Sequence, residues 1–324
     1  MTNSIEKIIL DFPKQIKDGF NQKPTNFSFK QKFNSVLICG MGGSALAGEF
    51  LEKFYPIRVH RNYELPRDII ISGEKTIIIV VSYSGNTEEA ISAYNSARKR
   101  KLPLIVISSN GLLGKKAHKD MVPFFSVKTK NIEPRMVVLE QISILIYLLK
   151  NLEIKPLQKV QLKFPHINPA IFKKEAEKIA ESLIDKIPLI YTSSANQAIA
   201  YYWKVLFNES AKIPAFWNVF PEINHNELMQ GKGLSWINKF YILNITDSDD
   251  NLKIQKRMRL TANIFNKKGI VVNTIKMRGK TPLEKMFNMI ILGNWIVFYL
   301  AQKINIDPID PDVREEFKEM MKQT

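Results

Sequence analysis

The sequence contains a single cysteine, Cys39, among its 324 residues. One cysteine cannot form an intramolecular disulfide bond, and it excludes a zinc site built from several cysteines. Histidines are also scarce, and His60, His118 and His166 lack the short spacing to His225 that a histidine metal site requires. We therefore expect no metal site and a chain that folds in a reducing compartment.

Long apolar runs are missing as well. The longest, from Met289 to Ala301, is interrupted by Gly293 and Asn294 and falls short of the roughly 20 residues that cross a bilayer. The opening residues, MTNSIEKIILDFPKQ, lack the basic start and apolar core of a secretory signal. These absences predict a cytoplasmic protein that does not associate with membranes.

Acidic residues are in short supply, because 31 Asp and Glu face 47 Lys and Arg, which gives a formal net charge of +16. A positive balance favours anionic partners such as nucleic acids or phosphorylated metabolites. The basic residues are scattered over amphipathic segments and are not gathered in one arm, which favours a small anion. We expect a small phosphorylated substrate and no nucleic acid partner.

Short β-branched runs alternate with helical patterns along the whole chain, which is typical of repeated βαβ units with parallel strands. Thr76–Val81 is apolar throughout, as expected for a strand buried on both faces. The pattern predicts an α/β fold with two doubly wound domains, each a mostly parallel sheet flanked by helices, at residues 1–152 and 170–324. A proline-containing linker is predicted at 153–169, and a long helix at 133–152 closes the first half.

Two loops in the first half combine small residues with hydroxyl groups. Ser82-Tyr-Ser-Gly-Asn-Thr87 lies where a strand gives way to a helix, and free amides at a helix N-terminus can bind phosphate. Gly40-Met-Gly-Gly-Ser-Ala45 follows a neighbouring strand, and ligands of parallel sheets collect at such strand ends. In the alternative interpretation, Asn86 and Glu89 form a helix cap and the serines are ordinary turn residues.

The loop at 40–45 also matches the G-x-G-x-x-A pattern of dinucleotide-binding proteins, with Glu64 near the distance expected for a ribose-binding acid. An NAD(P)-dependent oxidoreductase is therefore a competing hypothesis. A pyrophosphate-binding fold does not require the second hydroxyl-rich loop at 82–87, which favours the phosphate-binding interpretation.

Together, the two loops resemble those of the sugar isomerase (SIS) domain. The downstream stretches Asn208-Glu-Ser-Ala-Lys-Ile-Pro214 and Phe220-Pro-Glu-Ile-Asn-His-Asn-Glu227 resemble one branch of it, the bifunctional phosphoglucose/phosphomannose isomerase family. The resemblance covers nearly the whole chain. It implies two SIS domains, a homodimer with an active site shared between subunits, and isomerisation of an aldose phosphate and its ketose without a cofactor.

The resemblance also implies roles for individual residues. The phosphate would be held by six residues of the two loops, namely Gly42, Gly43, Ser44, Ser82, Ser84 and Thr87. Arg135 would lie beside the reacting carbons, and Lys318 would be a further cation of the site. Where the family shows Asp-Pro-Thr-Pro-Val, however, this chain has Asp307-Pro-Ile-Asp-Pro-Asp-Val313.

Aldose–ketose isomerisation opens a sugar ring and then moves a proton between C2 and C1, so it needs two different acid/base groups. The resemblance assigns the proton transfer to Glu209 and the ring opening to His225, which would reach in from the partner subunit. Glu209 follows Val205 by four residues, which places it towards the apolar stripe of its helix. A sugar-phosphate-sensing SIS regulator is the alternative, but it would leave Glu209 and His225 without a role.

Overall fold

The computed structural model describes residues 2–70, 75–157, 167–229, 236–309 and 313–322. Its strands form two separate sheets, and every strand pair within both sheets is parallel. The first sheet contains β1 (Ser35–Cys39), β2 (Ile57–His60), β3 (Thr76–Ser82), β4 (Leu104–Ser108) and β5 (Phe124–Ser126). The second contains β6 (Ile187–Ser193), β7 (Phe216–Phe220), β8 (Phe240–Thr246) and β9 (Val271–Lys276).

The two sheets share one strand order. The first runs β2-β1-β3-β4-β5 and the second runs β7-β6-β8-β9, so β6 corresponds to β1 and β8 to β3. The central strands are apolar on both faces, and Ile77 to Val81 are all fully buried. The predicted α/β fold with parallel, helix-flanked sheets is confirmed, and the matching order supports the repeat that the sequence pattern suggested.

Eleven helices are described. Those of the first half are α1 (Thr2–Leu10), α2 (Phe12–Phe20), α3 (Gly42–Glu52), α4 (Glu88–Lys99), α5 (Gly111–Lys119) and α6 (Val138–Asn151). The second half has α7 (Lys173–Ser182), α8 (Gln197–Glu209), α9 (Leu252–Lys267), α10 (Pro282–Lys303) and α11 (Val313–Lys322). None of them is long and apolar enough to span a bilayer.

The helix predicted from Glu133 begins five residues later, at Val138, and this part of the prediction is wrong. Pro134–Met136 instead forms a single 3₁₀ turn. Proline lacks an amide hydrogen and is suited to the first position of a helical turn, so it starts this turn separately from α6. Arg135 therefore lies in this turn, ahead of the first residue of α6.

A common core joins the two sheets. One continuous apolar cluster includes residues from Ile5 in α1 to Leu300 in α10, and it covers one face of each sheet. Helices of different halves also contact each other, since Phe50 of α3 meets Tyr202 of α8 edge to face with ring centroids 5.8 Å apart. The predicted domain boundaries stay a prediction, and 158–166 of the predicted linker lie outside the described residues.

Candidate active site

The two predicted phosphate loops lie side by side at the carboxyl ends of β1 and β3. They are joined by a hydrogen bond of 3.1 Å from the Tyr83 amide to the Ser44 hydroxyl. Ser82 and Thr87 are linked through their hydroxyl oxygens at 3.0 Å, and the Gly85 amide donates to Ser82. The structure therefore brings the hydroxyl groups of both loops to one edge of the first sheet.

Gly85 is needed for the shape of the second loop. Its φ angle is +71°, and a Cβ atom here would lie 2.0 Å from the carbonyl oxygen of Asn110. The cap proposed in the alternative interpretation is wrong, since the Asn86 side chain accepts from the amide of Leu112 in α5. The serines do bond within the turn, as the Ser84 hydroxyl accepts from the Asn86 amide. Helix α4 starts after Thr87, whose side chain makes no cap bond, so the amides of the first turn stay available to an anion.

Gly43 brings the first loop against the turn that carries Arg135. A Cβ atom on Gly43 would lie 3.2 Å from the Cα atom of Arg135 and 3.2 Å from the carbonyl oxygen of Pro134. Only a residue without a side chain permits this approach without displacing the turn. The phosphate loop and the predicted reaction centre are therefore neighbours within one chain.

The Arg135 side chain is buried, with 2% of its surface exposed, and contacts segments from both halves. Its Nη1 donates to Glu133 at 2.9 Å and to Glu209 at 3.4 Å. Its Nε donates to the Ser210 hydroxyl at 2.8 Å, and its Nη2 to the carbonyl of Pro308 at 2.7 Å. Arg135 is therefore not a solvated surface cation, and partners on three segments orient its guanidinium.

A second set of buried groups supports the backbone of Arg135. Its carbonyl accepts a hydrogen bond of 3.0 Å from the Tyr202 hydroxyl, which accepts in turn from Asn294 at 2.8 Å. Burial raises the pKa of Tyr202 well above its ordinary value, so the phenol stays neutral and remains a donor. The sequence analysis did not identify Tyr202 and Asn294, because both residues lie in helices whose sequences are mostly apolar.

Glu209 is the last residue of α8 and is partly buried, with 28% of its side chain exposed. Its neighbours Val205 and Ser210 are buried, as its predicted place beside the apolar stripe requires. The Arg135 guanidinium approaches one carboxylate oxygen, Oε2, and solvent reaches the side chain. The sequence analysis missed Ser210 as a partner of Arg135, although it directly follows Glu209.

A cavity of about 510 Å³ adjoins both parts of this site. Its walls include Tyr83, between the loop serines, and Glu133, which holds Arg135. Ser109 and Ile309 complete adjacent parts of the wall. The volume is in the range of small-molecule sites. The predicted phosphate ligands, Arg135 and Glu209 are not among the residues that line this cavity.

His225 lies apart from these residues. It ends a 3₁₀ turn that follows β7, its side chain is exposed, and its ring makes no hydrogen bond within the described part of the chain. The neighbouring amides do not orient it, because Asn224 bonds to Thr261 and Arg257 while Asn226 bonds to Glu222. Neither amide therefore positions the His225 ring.

Two other predicted residues are not joined to the site. Lys318 belongs to α11, but its side chain lies outside the described residues. Glu64, the acid of the dinucleotide hypothesis, is exposed in a turn after β2, where its amide donates to Ser92.

The second sheet has charged groups where the first has phosphate loops. After β8, the counterpart of β3, come Asp247, Asp249 and Asp250, and Lys285 of α10 bonds to the first at 2.6 Å. After β6, Asn196 accepts a 2.9 Å hydrogen bond from Lys53. The two sheets therefore share an architecture, but these strand ends of the second sheet carry paired carboxylates and lysines where those of the first carry hydroxyl-rich loops.

The comparisons with known proteins agree with this geometry. The family model of the bacterial phospho-glucose isomerase C-terminal SIS domain matches residues 172–321. A tagatose-6-phosphate ketose/aldose isomerase from Escherichia coli has a similar fold, with a TM-score of 0.69 at 13% identity, covering 94% of each chain.

Similarity over nearly the whole chain is found with several proteins named bifunctional phosphoglucose/phosphomannose isomerase. The protein from Thermoplasma volcanium is 34% identical over 299 residues, which cover 90% of this chain and 93% of the relative. The protein from Caldicellulosiruptor bescii is 31% identical over 325 aligned positions, which cover 93% of this chain and 94% of the relative. The chain therefore belongs to the bifunctional phosphoglucose/phosphomannose isomerase family.

Proposed function

We propose that this enzyme interconverts fructose 6-phosphate with glucose 6-phosphate and mannose 6-phosphate through an enediol. The observation that carries the proposal is the close approach of Gly43 to Arg135, which places a phosphate-binding edge beside a buried cation and a carboxylate. A hexose phosphate bound with its phosphate at one end and its reacting carbons at the other needs this arrangement.

The phosphate is held by the amides of Gly42 and Gly43 and by the hydroxyl groups of Ser44, Ser82, Ser84 and Thr87. Support comes from the convergence of both loops at one sheet edge and from the open first turn of α4. Hydroxyl and amide donors at a helix N-terminus bind phosphate without a lysine. Within the described part of the second sheet, the corresponding strand ends carry charged groups in place of such loops.

Glu209 moves the proton between C2 and C1, and Arg135 stabilises the enediolate oxygens. The Glu209 carboxylate is accessible to solvent, so it is also accessible to a substrate carbon. The Arg135 guanidinium beside it is held in place by hydrogen bonds to Glu133 and Ser210. A donor oriented before the reaction stabilises developing negative charge without reorganisation. Lys318 is a second cation for the same charge.

His225 opens the sugar ring in the active site of the partner subunit. The contacts of its turn support this role, because Ile223 packs with Met258 of α9 on one face of the second sheet. Helix α8, which carries Glu209, packs on the opposite face. A histidine on the far side of the sheet serves the Glu209 of another copy more readily than its own.

Strand β7 provides a surface for such a homodimer. It is an edge strand of the second sheet, and its Phe216 side chain is 57% exposed. Trp217 stacks obliquely on Tyr201 at 5.7 Å, and both rings are only partly covered. Exposed aromatic residues beside an unpaired edge are typical of a protein interface, and the turn bearing His225 directly follows this strand.

The direct test supplies fructose 6-phosphate and separates the hexose phosphates formed by chromatography, with Glu209→Gln as the inactive control. We expect both glucose 6-phosphate and mannose 6-phosphate to appear without NAD(P). Binding of the substrate without any conversion would instead indicate a regulator, and conversion that requires NAD(P) would indicate an oxidoreductase. Formation of only one of the two aldoses would contradict the bifunctional activity.

A further inference from the structure

We propose that Gln141 is a positioning residue that makes the Ser44 hydroxyl a hydrogen-bond donor to the substrate phosphate. Gln141 lies in α6 and is fully buried, and its Nε2 donates to the Ser44 Oγ at 3.2 Å. Neither the sequence patterns nor the proposed mechanism gives this residue a role. The inference rests on the proposed function, since it assumes that Ser44 contacts the phosphate.

The hydrogen bonds around Ser44 define the direction of its proton. A hydroxyl group has two acceptor lone pairs and one donor hydrogen. Its Oγ accepts from the Tyr83 amide at 3.1 Å and from Gln141 at 3.2 Å, so both lone pairs are occupied. The remaining hydrogen must point away from both donors, and it is then available to an anion.

Burial makes this orientation effective. Only 6% of the Ser44 surface is exposed, so water competes little for the hydroxyl hydrogen. A hydrogen bond to a charged group gains strength where solvent is excluded. Without Gln141, one lone pair would be free and the hydroxyl could rotate, which would weaken its contact with the phosphate.

The other end of the Gln141 side chain shows that stability does not account for the residue. Its Oε1 is buried and finds no hydrogen-bond partner among the described residues. A buried polar atom without a partner destabilises the folded state relative to an apolar atom of the same size. A methionine at this position would pack equally well, so the amide is explained by its contact with Ser44.

The test compares Gln141→Met with the wild-type enzyme and with Gln15→Met. Gln15 in α2 is a matched control, since it is 3% exposed and its Oε1 also has no partner among the described residues. We expect Gln141→Met to raise the KM for fructose 6-phosphate about five- to tenfold, and the inhibition constant of inorganic phosphate equally. Its kcat should stay near the wild-type value, as should both kinetic parameters of Gln15→Met, and the urea midpoint should not fall in either variant.

A double-mutant cycle with Ser44→Ala separates positioning from a general packing effect. If Gln141 acts through the hydroxyl, Gln141→Met adds nothing to the raised KM of Ser44→Ala. The inference would be overturned if the double variant raised the KM by the product of the two single increases. It would also be overturned if Gln141→Met left the KM unchanged while Ser44→Ala raised it. An unchanged KM in Ser44→Ala itself would contradict the phosphate site on which the inference rests.

Discussion

The Arg135 guanidinium lies 3.4 Å from the Glu209 carboxylate and connects the turn before α6 with the last residue of α8. The two residues are 74 positions apart in sequence and come from different halves of the chain. Their pairing makes the interface between the halves the centre of the proposed chemistry. A substitution at either residue therefore tests the proposed mechanism at the contact between the two halves.

Replacing Ser84 or Thr87 by alanine should weaken substrate binding. Each hydroxyl that bonds a charged phosphate contributes roughly 1.5–3 kcal/mol, which corresponds to a KM raised about 10- to 100-fold. Steady-state kinetics on fructose 6-phosphate measure the change, with Ser96→Ala further along α4 as the control. A loss in kcat at unchanged KM would place the phosphate elsewhere.

Mixing His225→Ala with Glu209→Ala subunits should restore activity. Each homodimer lacks one group in both sites, whereas a heterodimer has one site in which both groups are intact. Subunit exchange is verified by native mass spectrometry before the assay. Persistent inactivity of proven heterodimers would show that the two groups do not act across subunits.

Lys285→Met should destabilise the fold without reaching the catalytic residues. Lys285 and Asp247 are both buried and joined at 2.6 Å, so losing the cation leaves a buried carboxylate without its partner. We expect a loss of about 3 kcal/mol in the free energy of unfolding by urea. The double variant Lys285→Met/Asp247→Leu should recover most of this loss, and failure to recover it would point to packing as the cause.

Asp250→Asn should change how stability depends on pH. Burial raises the pKa of Asp250 above its ordinary value of 3.8, and this effect exceeds the lowering by the hydrogen bond from Ser193, while repulsion from Asp247 raises the pKa further. The folded state therefore binds the proton more tightly than the unfolded state, and stability falls as pH rises from about 3.8 through the folded-state pKa. An asparagine side chain does not ionise, so the Asp250→Asn variant does not lose this stability as the pH rises.

The urea midpoints of Asp250→Asn and the wild type, measured between pH 3.5 and 7, show the effect. We expect the variant to gain stability relative to the wild type as the pH rises over this range. Glu181→Gln, which removes an exposed carboxylate of α7, should show no such trend. A difference between Asp250→Asn and the wild type that does not vary with pH would contradict the assignment.

The sequence predicted the parts of the fold that local patterns determine. The run Thr76–Val81 was predicted as a strand buried on both faces, and β3 spans Thr76–Ser82, because an unbroken apolar run is typical of a buried parallel strand. Strand β7 was missed, since Phe216–Phe220 is short, carries a central asparagine and lies at an edge with one exposed side. Patterns of burial are weakest where a strand is only half covered.

The candidate site was only partly predictable. The hydroxyl loops were identified from their residues, but the partners of Arg135 were not, because Ser210 and Pro308 lie 75 and 173 positions away in sequence. Gln141 was missed for a related reason, since a single polar residue in an apolar helix gives no local signal of its contact with Ser44. Contacts between distant segments arise from tertiary packing, which local patterns do not specify.

Exchange of substrate hydrogen with heavy water tests the central role of Glu209 most directly. Glu209→Gln should fold normally and bind substrate, because the amide oxygen still accepts from Arg135, but it cannot take up the proton. Loss of the base removes about 10²–10⁴-fold of the rate. His225→Ala loses only ring opening, so it serves as the control when the open-chain form is supplied.

Deuterium incorporation at C1 and C2 is measured by NMR for both variants. The account predicts that His225→Ala incorporates deuterium from the open-chain substrate and that Glu209→Gln incorporates none. Persistent exchange in Glu209→Gln would contradict it and assign the base to another residue, with Glu222 or Glu227 as the next candidates.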